Sequence, residues 1–150
     1  MTAPPQWPTH ALRFLAPVLL LLLVAQYLLG LWTNLYAPST GFTSSSSSPS
    51  LDWHYNLGYL LGVLGILAIV FAALSRQAPL IGTAVGFFLS VLLAGVAGMA
   101  FVRTDANPPL YSLEMGLLFL FAFGAAMGLA VRTWMRPTPS SSVAAPTSSS

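Results

Sequence analysis

Lysine and cysteine are missing altogether, and charge of either sign is scarce: five arginines and three acids in 150 residues. Without cysteine there is no disulfide, no cysteine-ligated zinc, no iron–sulfur cluster and no thiol redox chemistry. Charged residues make up 5% of the chain, against about 25% in an ordinary soluble domain. So few charges cannot cover a water-soluble globule of this size, which excludes a cytosolic enzyme domain. The arginines are scattered, so no basic patch invites nucleic acid. P-loop, GxSxG and HExxH motifs and paired carboxylates are also absent, and hydrolase or ATPase chemistry has no residues to stand on.

What is there instead is hydrocarbon. Hydrophobic residues make up 56% of the chain, and they gather in four runs, about 11–36, 53–74, 79–101 and 110–131. A helix needs about 20 residues to cross the hydrocarbon core, and every run is long enough. An open sheet leaves unpaired edges that lipid cannot satisfy. The predicted fold is therefore all-α, an integral membrane four-helix transmembrane bundle within residues 11–136. A short Pro-rich N-terminus, 1–10, precedes it, an outer Ser-rich loop, 37–52, interrupts it, and a Pro/Ser tail, 137–150, is expected to be disordered. The first run is too long for a signal-peptide core and lacks a good small-x-small site, so it is expected to stay as the first helix. Pro17 alone falls inside a predicted span, in its first turns, where a missing N–H costs little.

Arginine placement sets the expected orientation. Arg13, Arg76, Arg132 and Arg136 fall on one side and Arg103 on the other, which favours both termini inside. Asp52, Asp105 and Glu114 all fall on the outer side. Trp32, Tyr36, Trp53, Tyr55 and Tyr111 mark the outer interface, and Trp134 the inner one. An all-arginine basic set in a short chain points to a GC-rich prokaryotic genome, hence to a multi-pass protein of the cell (plasma) membrane.

Small residues recur every fourth position in the third run: Gly82, Gly86, Ser90, Ala94 and Gly98. They form a slowly drifting stripe. The second run has Gly58, Gly62 and Gly65, and the fourth Gly116, Gly124 and Gly128. Such stripes let backbones approach in lipid, where no hydrophobic effect drives helices together. They predict bundle packing, a homo-oligomer, or docking into a larger membrane complex.

The polar residues inside the spans each need a reason. Gln26, Gly30, Thr33 and Asn34 share one helical face. A buried amide in hydrocarbon must find a partner, so this face is expected to look into the bundle. His54, Gly58 and Gly62 share a face of the second helix. That histidine either rests at the interface, ligates a haem or metal, or carries a proton. The other histidine, His10, lies on the opposite side of a bilayer about 30 Å thick. One protomer therefore cannot supply bis-His haem ligation. Ser112 and Gly116 share a face of the fourth helix, and Glu114 points elsewhere, either to the outer interface or towards His54 or Arg103. Asn34, Asp52, Arg103, Ser112 and Glu114 form a candidate outer polar cluster.

Asp52-x-His54 following an outer loop, with Gln26-x-x-x-Gly30 in the helix before it, resembles one four-helix half of the haem A synthase fold. The resemblance spans about residues 12–132. It implies a haem-associated protein with His54 as ligand and Gly58, Gly62 and Gln26 around the cofactor. Where that family carries a second histidine near the outer end of the fourth helix, this chain has Ser112, Glu114 and Met115. Three functions follow as expectations. The first is a non-enzymatic accessory or assembly subunit acting through helix packing. The second is a haem- or quinone-associated redox or assembly protein using His54. The third is a small-solute or proton permease lined by Gln26 and Asn34.

Overall fold

The computed structural model describes residues 6–36, 49–103 and 108–135, with the side chains of 34–36, 102, 103, 108 and 109 outside that set. The described residues form four helices: α1 (Trp7–Tyr36), α2 (Pro49–Leu74), α3 (Ala78–Arg103) and α4 (Pro108–Trp134). Each is long and apolar enough to cross a membrane. The chain is thus an all-α, multi-pass membrane protein built as a four-helix bundle. The expected disordered tail and most of the Ser-rich loop lie outside the described residues.

The helices start earlier than the apolar runs. Residues 49–52, expected in the outer loop, form the first turn of α2, and Trp7–His10, expected in the N-terminal segment, are already helical. The reason is local. Pro49 occupies the first helical position, where its missing N–H is no loss and its φ is already set. Asp52 in the same turn complements the positive end of the helix dipole. Pro108 opens α4 in the same way. Hydropathy does not register a polar first turn.

The tight connection between α2 and α3 is Ser75–Gln77. Arg76 there has φ 56°, the left-handed conformation that commonly ends a helix, and it costs a non-glycine residue about 1 kcal/mol. The carbonyl of Gln77 then accepts from the N–H groups of Leu80 and Ile81 and begins α3.

The helices pack as a ring. α1 lies against α2 and α4, and α3 against α2 and α4, while the diagonal pairs make no close backbone approach among the described residues. The axis of the ring is filled by Leu12, Leu19, Leu61, Leu80, Phe87 and Leu129, all fully or almost fully buried. Alanines take the tighter places, at 16, 68, 72, 84, 122 and 126. Most remaining large apolar side chains face outward; Leu21 is 70% exposed and Phe121 69%. That inside-out exposure belongs to a surface solvated by lipid.

Hydroxyls inside the spans bond their own helix. Thr33 donates to the Leu29 carbonyl, Ser90 to that of Gly86, and Thr133 to those of Leu129 and Ala130. Back-bonding of this kind hides a hydroxyl without any partner helix.

Candidate functional site

Near the end of the bundle where α2 begins, the two polar residues singled out in α1 and α2 meet. The side-chain nitrogen of Gln26 donates to the backbone carbonyl of His54 at 3.1 Å and lies 3.2 Å from His54 Nε2. A carbonyl oxygen only accepts, so the amide nitrogen must face it. The second amide hydrogen then reaches Nε2, which must accept, and the ring proton sits on Nδ1. The amide thus links α1 to both the backbone and the ring of α2.

One glycine makes room for this contact, and a second borders it at ordinary contact distance. A Cβ added at Gly30 would lie 3.1 Å from Cε1 of His54 and 3.6 Å from Nδ1. The imidazole therefore rests its edge on bare backbone. At Gly58 an added Cβ would stand 3.5 Å from the Gln26 nitrogen. Gly62 has nothing within 4 Å of the same position, so the glycine face of α2 is used at its first member only. Gln26 Oε1 and His54 Nδ1 are both buried and without a hydrogen-bond partner.

The structure does not gather the wider outer cluster around this pair. Asp52 and Glu114 are exposed, and Ser112 is half-buried. The side chains of Asn34 and Arg103 lie outside the described set. Among the described residues no three His, Cys, Asp or Glu side chains come together.

A haem iron would need a ring nitrogen of His54. Nε2 faces the Gln26 amide, and Nδ1 is sealed beside Gly30. The residues present do not fit an axial ligand unless the α1–α2 contact opens. The arrangement is a polar contact between two helices. What it does is fix the register of α1 on α2.

The five small residues of α3 do not share one neighbour. Each step of four residues turns about 40° around a helix, so Gly82 and Gly98 point in nearly opposite directions. Gly98 faces α4, where an added Cβ would meet Met115 Sδ at 3.2 Å. Gly82 is exposed, and neither it nor Gly86 has anything within 4 Å of that position. Two other glycines carry the close approaches: Gly65 against Phe87 and Phe88, and Gly128 against Thr83.

A second polar constellation lies at the opposite end. Pro17 has no N–H, so it leaves the Arg13 carbonyl without its partner four residues on. Trp134 of α4 supplies the missing donor, with Nε1 at 3.2 Å. The Arg13 guanidinium in turn lies 4.1 Å from the centre of the Trp134 ring. On the other flank of α4, Arg132 donates to the Pro79 carbonyl at 2.7 Å and to the Thr83 hydroxyl at 2.8 Å. Because α1 begins at Trp7, Pro17 is not in the first turns but in the third, and its vacancy in the hydrogen-bond ladder needs this repair. A proline mid-helix was the signal in the sequence; its partner 117 residues later in the chain was not.

Comparison of the chain with family models, with curated proteins and with solved structures finds no match.

Proposed function

We propose that this membrane protein is a non-enzymatic accessory or assembly subunit of the prokaryotic cell membrane, with both termini in the cytoplasm. It works by offering a helix surface to a larger membrane complex or to a second copy of itself. The observation that carries this reading is the position of the unused glycines. Gly82 and Gly86 of α3, and Gly124 of α4, have open space where a side chain would stand. On the helical wheel, Gly82 and Gly124 lie on the outward sides of α3 and α4, opposite their buried residues, and Gly86 lies on the flank of α3 towards α4. These positions face lipid. The Thr83–Gly128 contact closes the seam between the two helices. A shallow, backbone-lined surface of this kind suits the close approach of another membrane helix. The Gln26–His54 contact supports a structural rather than a catalytic use of the polar residues.

Gly86→Leu tests the reading. An added Cβ meets nothing within 4 Å, so the monomer should fold as before. The expected result is loss of the complex or oligomer that co-purifies with the wild-type chain in mild detergent. Unchanged assembly in a folded Gly86→Leu protein would overturn the proposal.

A further inference from the structure

The end of the bundle that holds Trp7, the α2–α3 turn and the last turn of α4 carries charge of one sign. Among the described residues it presents Arg13, Arg76 and Arg132, while the two described acids, Asp52 and Glu114, sit at the other end. Two of these arginines are held in place, and neither is held by a carboxylate. The Arg13 guanidinium lies over the Trp134 ring, 4.1 Å from its centre, and its Nε is buried without a hydrogen-bond partner. Arg132 is tied through Nη1 alone, to Pro79 and Thr83. Both groups flank the last turn of α4, one towards α1 and the other towards α3. Trp7 and Trp134, each more than half exposed, mark this level as the membrane–water interface.

We propose that the last turn of α4 is a binding site for anionic phospholipid headgroups, with Arg13 and Arg132 as the phosphate-recognising residues. A guanidinium offers a planar fork that matches phosphate oxygens in pairs and stays charged at every physiological pH. Neutral partners hold both forks in orientation, so little side-chain freedom is lost when phosphate arrives. No carboxylate has to be displaced. Arg76 is different. It sits on an exposed turn and serves as a charge without a platform.

The test uses the full chain in nanodiscs of phosphatidylcholine doped with phosphatidylglycerol, followed by native mass spectrometry of retained lipid. Wild type should keep phosphatidylglycerol over phosphatidylcholine by on the order of tenfold, given the attraction of each surface arginine for anionic lipid. Arg13→Gln with Arg132→Gln should lose most of that preference, and Arg76→Gln should keep it. An equal loss in Arg76→Gln would show that net charge alone is responsible and would overturn the site. If the double glutamine variant does not fold, Arg13→Lys with Arg132→Lys keeps the charge and removes both forks. A severalfold loss there supports the proposal, and full retention overturns it. Soluble glycerophosphate added at matched ionic strength should not displace the lipid; displacement would mean a site for free phosphate instead.

Discussion

The two ends of the bundle are held together by different chemistry. At one end α1 meets α2 through a neutral amide and a neutral ring, fitted over Gly30. At the other, α4 reaches both its neighbours through an indole and two guanidiniums. The first contact depends on shape, because Gly30 must stay bare for the imidazole to lie where it does. The second depends on side-chain donors reaching backbone: Trp134 repairs the carbonyl freed by Pro17, and Arg132 reaches the carbonyl of Pro79 near the start of α3. A membrane protein can thus fix helix register either by burying a matched polar pair or by finding donors for irregular backbone. The former is intolerant of added volume and the latter of a lost donor.

That contrast can be broken from either side. The largest effect is expected for Gly30→Leu, which pushes side-chain atoms into the His54 ring and should destabilise the bundle by about 2 kcal/mol. SDS titration of protein refolded in mixed micelles would measure it, and an unshifted midpoint would mean that the imidazole does not rest on Gly30. Gln26→Leu should cost less, about 1 kcal/mol, since hydrogen bonds between membrane helices are individually modest. The same titration reads it. With His54→Ala already present the loss should shrink but persist, because the alanine keeps the carbonyl that Gln26 bonds and removes only the ring; an unreduced loss would show that the ring adds nothing to the contact. The smallest effect belongs to the other end. Trp134→Phe keeps the ring over Arg13 but removes the donor to its carbonyl, for about 0.6 kcal/mol. Pro17→Ala restores the N–H that this carbonyl lacks. In that background Trp134→Phe should cost almost nothing, and an undiminished cost would refute the repair.

Much of this architecture can be read directly from the chain. Four apolar runs in a sequence with so few charges leave no other fold, and the four helices coincide with them apart from their first turns and the last two or three residues of α3 and α4. Those turns were hidden because Pro49, Ser50 and Asp52 are polar or ring-closed, and a hydropathy reading sees side chains rather than dihedrals. Gln26 and His54 each stood out as polar residues in apolar company. Their pairing did not, since it depends on the depth at which α1 and α2 lie side by side, which the intervening loop does not encode. The rotation of the α3 stripe, by contrast, was available from arithmetic. Five members at intervals of four turn through about 160°, so Gly82 and Gly98 could not have served the same neighbour. Trp134 gave no hint of Arg13, because an aromatic at a helix end is ordinary at the membrane interface.

The filling of the ring axis has an electrical meaning. Between the Gln26–His54 contact and the arginine end, the buried side chains facing the axis are leucine, alanine and phenylalanine, with Phe87 fully enclosed. Such a column is a dielectric plug. An ion or a proton placed at the imidazole would find no polar stepping stone along it, and its solvation energy would be lost at the first leucine. The permease expected from Gln26 and Asn34 would need a conduit through or beside this apolar column.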